Sequence, residues 1–188
     1  MFLYLPFPAL ALGTEKAEPD VMKRKPRDPK SGVFADGMGV DIVYQGFMVA
    51  MLVLFSFFVG HRIETGNWEI TESAHGTTMA FLTMAMAEIF HSLNMRSQRK
   101  SLFSLKKQNV LLWLAALASF VLSVSVCAIP AVAGVFKLNA IGIAELVIAI
   151  GLGFSVIPIV ELVKLVQRMV AKKKEKAVNI RTHFAVSF

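Results

Sequence analysis

The chain has 188 residues, of which 55% are hydrophobic, with a mean hydropathy of +0.60 and a formal net charge of +7. A soluble domain is typically about 45–50% apolar, and its apolar positions recur periodically instead of forming long runs. The single cysteine, Cys127, lies within an apolar run and excludes a disulfide framework or a cysteine-based metal site. No basic stripe interleaved with aromatic residues is present, so the positive charge does not predict nucleic-acid binding.

The first 39 residues precede the first long apolar run. Residues 1–13 are apolar, but they are too short to cross about 30 Å of hydrocarbon. They also lack the positively charged start of a signal peptide. Residues 14–39 are polar and rich in proline, which predicts a loop in water.

Four apolar runs long enough to cross a bilayer follow, so the sequence predicts an all-α integral membrane protein with a four-helix transmembrane bundle. The membrane domain is expected over residues 40–168, with spans at about 40–60, 74–95, 109–129 and 140–163. Residues 169–188 form a basic tail. Pro158 is expected to kink the fourth span near its end.

Small residues spaced four apart predict faces on which neighbouring helices pack closely. The first span carries Gly46 and Ala50. The third span carries a longer stripe of such residues: Ala115, Ser119, Ser123 and Cys127.

The distribution of basic residues predicts the orientation. Eighteen of the 20 Lys and Arg residues lie in residues 14–39, 95–108 and 164–188, and the two remaining loops carry one each. Loops rich in Lys and Arg stay in the cytoplasm, so the sequence predicts a multi-pass protein of the cell membrane with both termini cytoplasmic and the lipid bilayer as its partner. Two interpretations stay open for the tail lysines around 172–176: binding of anionic lipid, or a solvated flank of the last span.

One carboxylate, Glu88, lies inside the second span, about 10 Å from its inner end. A charged side chain near the bilayer centre costs at least about 2.5–3.5 kcal/mol. Glu88 is therefore a cation ligand or proton carrier, or it is a carboxyl that stays protonated or forms a hydrogen bond to a neighbouring helix. We expect it to face the bundle. Glu145 and Glu161 lie near the ends of the fourth span and are expected to reach headgroups or water.

Glu88 and His91 form a Glu-x-x-His pair of the kind that di-iron bundles use twice, together with two further glutamates. Here the pair occurs once, so the di-iron hypothesis is weak and His91 is interpreted as an interfacial histidine. No phosphate-binding glycine loop and no Ser/His/Asp arrangement is evident, and no catalytic or cofactor-binding residue is predicted.

Several segments together resemble the calcium-transporting P-type ATPases. PALALG at residues 8–13 and DVMKRKPR at 20–27 are similar to the end of that family's sixth transmembrane helix and the loop after it. TMAFLTMAMAEIFHSLNMRS at 78–97 is similar to its eighth helix, which carries a calcium-coordinating Glu. FKL at 136–138 and PIVELVK at 158–164 resemble the ends of its ninth and tenth helices.

The resemblance implies the C-terminal transmembrane domain, helices 7–10, of a pump that exports calcium by hydrolysing ATP. Residues 1–13 would be the remnant of a truncated sixth helix, with Leu5 where the family has its key Asp, and Glu88 would be the one ion ligand carried over. Calcium would be the transported ion, whereas ATP and magnesium would bind only to the full-length parent. The partners would be other helices of a pump or the missing N-terminal part, and the chain would be inactive alone. The alternative is a small independent four-span accessory or assembly subunit.

Overall fold

A computed structural model describes residues 6–15, 32, 34, 38–68, 71–97 and 109–186. Within these residues all regular structure is helical, which confirms the all-α class. The helices in chain order are α1 (Pro6–Leu12), α2 (Met38–Thr65), α3 (Ala74–Asn94), α4 (Val110–Ala128), α5 (Pro130–Val135), α6 (Ile143–Phe154) and α7 (Val156–Val186).

Three stretches of helix in the described part are long and apolar enough to cross a membrane. They are α2, α4, and α6 together with the first half of α7, as far as Ala171. The predicted second span, α3, does not meet the same measure of length and composition, because its 21 residues include three threonines, two histidines and Glu88. Length and composition therefore support three of the four predicted spans.

The predicted fourth span is broken rather than continuous. α6 ends at Phe154 and α7 begins at Val156, so the irregularity lies three residues before the expected kink at Pro158. Proline has no backbone N–H and cannot donate to the carbonyl four residues earlier, which here belongs to Phe154. The Ser155 hydroxyl donates to the Leu152 carbonyl at 2.5 Å and stabilises the turn. Beyond the break, α7 continues past residue 169 to Val186.

α3 lies at the centre of the bundle, in contact with α2, α4, α6 and α7. Its Met79, Leu82 and Met86 side chains are fully buried. The predicted packing stripe of α4 is confirmed, since Ser119 and Cys127 lie in the interior. α3 is thus covered by other helices over most of its surface. Its polar residues can therefore form contacts within the protein, which accommodates a helix that is more polar than α2, α4 and α6.

Glycines allow the helices around α3 to approach closely. A Cβ atom on Gly60 of α2 would lie 2.8 Å from the Cα of Gly76 in α3. A Cβ on Gly153 of α6 would lie 2.4 Å from the Cβ of Met86. By contrast, no atom lies within 4 Å of the corresponding position on Gly46, and both Gly46 and Ala50 are exposed, so no described residue covers the predicted packing face of α2.

Candidate ion-binding site on α3

The Glu88 side chain is exposed on the surface of α3, between the buried residues Ala87 and Ile89. The prediction that it faces the bundle is therefore wrong for the described part of the chain. The faces of α3 that carry its apolar core residues pack on the neighbouring helices, and Glu88 lies on the face that no described helix covers.

Glu88 belongs to a row of exposed residues that runs along α3 to Met95, the first residue after its end. Its members share spacings of seven and four residues, which place them on one side of a helix: Thr77, Met84, Glu88 and Met95. We call these four residues the open stripe of α3. Within the described residues, the open stripe is a face of α3 that stays accessible.

His91 lies against α2. Its Nε2 lies 3.0 Å from the Oε1 of Gln45 in α2, an amide oxygen that can only accept a hydrogen bond. The described residues contain no group of three or more His, Cys, Asp or Glu side chains that could hold a metal ion. The structure thus gives the di-iron hypothesis no support.

On its buried side, α3 makes a polar contact within the apolar core. The Thr83 hydroxyl donates to the Ser56 hydroxyl of α2 at 2.7 Å and lies 3.3 Å from the Ala149 carbonyl of α6. All three residues are buried. This contact links the three helices at mid-height and fixes the rotation of α3, and therefore the direction in which Glu88 points.

At one end of α3, Glu145 of α6 is buried rather than reaching headgroups or water as predicted. Its Oε1 lies 2.6 Å from Nδ1 of His75, and its Oε2 accepts from the Gly142 N–H at 2.7 Å. Glu145 therefore caps the start of α6 and also joins α6 to α3. Glu161, the other carboxylate expected to reach water, is half-buried on α7.

The same end of α3 is also capped by Ser73, in the loop before it, and by Glu64 of α2. The Ser73 hydroxyl accepts from the Gly76 N–H at 2.8 Å, as an N-cap residue does, and it donates to the Glu64 carboxylate. The same Glu64 oxygen accepts from the His75 N–H at 3.1 Å. A carboxylate beside the first turn also interacts favourably with the helix dipole.

The other end of α3 is held by a buried lysine from α7. Lys164 is 5% exposed, and its Nζ donates to the carbonyls of Asn94 and Ser97, both at 2.7 Å. These carbonyls belong to the last turn of α3 and the turn after it, where a cation is favourable. The Asn94 amide in turn donates to the Val156 carbonyl at 3.4 Å, at the start of α7.

Next to this contact, a second buried cation joins α3 to the residues after α1. The Arg96 side chain is 1% exposed, and its guanidinium lies 3.0 Å from the Glu15 carboxylate. The Asn109 amide donates to the same carboxylate at 3.0 Å and to the Ala11 carbonyl at 3.2 Å. Burial alone would raise the pKa of Glu15, but the hydrogen bonds from Arg96 and Asn109 and the charge of Arg96 outweigh it, so the pKa is lowered.

Sequence reasoning identified Glu88 but missed the residues that hold α3 in place: Glu15, His75, Arg96 and Lys164. A partial signal existed for Lys164, which is a lone lysine in an apolar run and belongs to the PIVELVK segment. The partners of the other three lie far away in sequence, so no local pattern indicates them. Leu5, the predicted replacement of an ion ligand, lies outside the described residues.

Comparison with known proteins identifies the family to which this chain belongs. Residues 2–166 match the family described as cation transporting ATPase, C-terminus. The match covers most of the chain, so the chain belongs to this family of membrane proteins.

Three of the similar proteins are calcium-transporting ATPases. The chain is 32% identical over 174 residues to Calcium-transporting ATPase 1 of Bacillus cereus, an alignment that covers 86% of the chain and 19% of the relative. It is 36% identical over 152 residues to the Calcium-transporting ATPase of Bacillus subtilis, covering 80% and 16%, respectively. It is 28% identical over 162 residues to the human Calcium-transporting ATPase type 2C member 1, covering 86% and 17%. The chain thus spans less than one fifth of the length of these relatives.

Proposed function

We propose that this chain is the C-terminal membrane part of a calcium-transporting P-type ATPase and that Glu88 supplies one carboxylate of its ion site. The observation that carries the proposal is the position of Glu88 on the open stripe of an otherwise buried helix. The names of the relatives support calcium as the transported ion. The family match supports the assignment to the C-terminal part of such a pump.

The chemistry of calcium indicates what the rest of the site must provide. Ca²⁺ takes six to eight oxygen ligands, and Glu88 offers at most two. The remaining ligands then come from helices that pack on the open stripe, within the part of a pump that this chain does not span. In that arrangement Glu88 faces a protein interior, and the cost of its exposure to hydrocarbon disappears.

The energy for transport comes from the same missing part. ATP and magnesium bind to the longer pump, and the 188-residue chain alone hydrolyses no ATP. Within the pump, the chain serves as a scaffold. The buried side chains of Lys164 and Arg96 and the cap residues hold both ends of α3, so Glu88 keeps its position while other helices move.

The proposed orientation puts both termini in the cytoplasm with four spans, α3 being the second. The uneven distribution of Lys and Arg supports it. The contacts of α3 with the more apolar helices α2, α4 and α6 support its crossing the membrane beside them. The alternative of an independent accessory subunit is not favoured, because the family match extends over nearly the whole chain.

A chimera tests the proposal. Residues 6–188 of the chain replace the corresponding segment of the Bacillus subtilis calcium-transporting ATPase, so that the pump keeps its own residue where this chain has Leu5. ATP-driven calcium uptake is then measured in membrane vesicles. We expect uptake by the chimera. Loss of even an outer-shell partner weakens metal binding about 10–100-fold, so Glu88→Gln is expected to weaken the apparent calcium affinity at least about tenfold.

The matched control is Glu72→Gln, which removes a carboxylate from the exposed loop before α3. Its apparent calcium affinity should equal that of the unmodified chimera. Equal calcium affinity in the Glu88 and Glu72 variants would contradict a role for Glu88 as a ligand.

A further inference from the structure

The break between α6 and α7 leaves an open groove of about 490 Å³ on the outer surface of the bundle. Its walls are almost entirely apolar and include Phe154, Leu162 and Leu165. Two charged residues, Glu161 and Arg168, also line it. One of its lining residues, Phe154, packs edge-to-face on Phe90 of α3, with ring centroids 5.4 Å apart. No residue of the open stripe lines the groove, so the two sites are distinct.

The groove is about as long as one leaflet of the membrane is thick. Phe154 and Arg168 are 14 positions apart and are therefore separated by roughly 20 Å along the helix at 1.5 Å per residue. Half of the hydrocarbon core measures about 15 Å. A groove that begins near the middle of the membrane and ends at Arg168 therefore follows the depth of a single acyl chain and places Arg168 at the level of the headgroups.

The charges favour an anionic headgroup at the Arg168 end. Arg168 Nε donates to the Lys164 carbonyl at 3.2 Å, which directs the guanidinium along the helix. Guanidinium groups bind phosphate with parallel hydrogen bonds. α7 then continues into the segment that contains three consecutive lysines, of which Lys173 is exposed. Glu161 lies about 10 Å deeper than Arg168, where its carboxylate disfavours an anion.

We propose that this groove binds one anionic phospholipid from the leaflet on the C-terminal side of α7, with an acyl chain along the apolar wall and the phosphate on Arg168. A second copy of the chain is a less suitable occupant in a parallel pair, because it would bring its own basic end of α7 against Arg168. The inference does not depend on the proposed role of Glu88.

The test measures lipid selectivity of the purified chain in vesicles of phosphatidylcholine that contain spin-labelled phosphatidylglycerol or spin-labelled phosphatidylcholine. We expect one phosphatidylglycerol bound preferentially per chain. An Arg or Lys near an anionic surface contributes about a factor of five in affinity, so Arg168→Gln should reduce the preference about fivefold. Arg62→Gln removes the same charge from the exposed end of α2 and should leave it unchanged.

A second pair of variants tests the apolar wall. Leu162→Trp fills the groove and should displace the bound lipid, whereas Val147→Trp adds the same bulk at an exposed position of α6 outside it and should not. The proposal is overturned if the Arg168 and Arg62 variants keep the same selectivity. It is also overturned if the unmodified chain shows no preference for phosphatidylglycerol, or if cross-linking shows that a second copy occupies the groove.

Discussion

Lys164 illustrates how a single charged residue is accommodated inside this bundle. Its ammonium group is buried, but it donates to two carbonyls at 2.7 Å and lies at the end of α3, where the helix dipole favours a cation. Burying an ammonium group is costly unless its donors are satisfied. The arrangement meets that condition, and it holds α7 against the end of α3.

Lys164→Met should destabilise the protein, because it keeps the length of the side chain but leaves the Asn94 and Ser97 carbonyls without this donor. A buried polar group that loses its partner costs about 1–3 kcal/mol. The free energy of unfolding in detergent micelles measures the effect. Lys137→Met, at an exposed position, is the control and should change it little. Equal stability of the two variants would contradict the capping role.

Glu15 should make the free energy of unfolding depend on pH in the acidic range. Burial opposes ionisation of Glu15, but the hydrogen bonds and charge of Arg96 and the hydrogen bond of Asn109 lower its pKa in the folded state. Its contribution is therefore fully present above the ordinary pKa of a glutamate and is lost as the pH falls through the lower, folded value. Unfolding curves measured from pH 7 down to pH 3 should show this loss.

The variant Glu15→Gln should flatten the acid side of that profile, whereas Glu72→Gln, in an exposed loop, should preserve it. A Glu15 variant with the same pH dependence as the unmodified chain would show that the contact with Arg96 contributes nothing to folding.

Among the helices, those with local signals were predicted well. The second and third spans were expected at 74–95 and 109–129, and α3 and α4 occupy Ala74–Asn94 and Val110–Ala128. Their starts are marked by the cap residues Ser73 and Asn109, each of which accepts a hydrogen bond from the backbone N–H three positions on. By contrast, the burial of Glu145 depends on His75, 70 residues earlier, and no local pattern carries that information.

The distance between α3 and α6 depends on one glycine of α6, Gly153. Gly153→Ala would place a methyl group 2.4 Å from the Cβ of Met86, so α6 must move away from α3. Overpacking of this kind typically costs about 1–3 kcal/mol. Gly151→Ala, on the same helix, has no atom within 4 Å of the new methyl group and should be neutral or slightly stabilising.

Thermal unfolding of both alanine variants in the same detergent compares them directly. A Gly153 variant as stable as the Gly151 variant would contradict the close approach of α3 and α6.

For the whole molecule, the orientation can be tested with single cysteines in a Cys127→Ser background. Asn67→Cys lies in the loop after α2, Ser104→Cys lies between α3 and α4 outside the described residues, and Lys173→Cys lies on α7. With four spans and cytoplasmic termini, a membrane-impermeant maleimide added to intact cells labels only position 67. If α3 did not cross the membrane, positions 67 and 104 would lie on the same side and react alike.

Sequence alone identified Glu88 and the family to which the chain belongs, because a carboxylate in an apolar run and a set of short motifs are visible without a structure. It did not predict that Glu88 lies on an exposed face. The polar residues of α3 lie on its buried and its exposed sides alike, as Thr83 and Glu88 show, so its periodicity does not indicate which face the neighbouring helices leave open. Only the positions of α2, α4, α6 and α7 around it define the open stripe.

Equilibrium binding of radioactive calcium tests the central claim most directly, because it reports the ion site without requiring transport. It is measured on the 188-residue chain alone and on the chimera with the Bacillus subtilis pump, each with and without Glu88→Gln. We predict no saturable binding to the chain alone, saturable binding to the chimera, and an affinity at least about tenfold weaker when Glu88 is replaced. Calcium binding to the chimera that is unchanged by Glu88→Gln would contradict the claim that Glu88 is a calcium ligand.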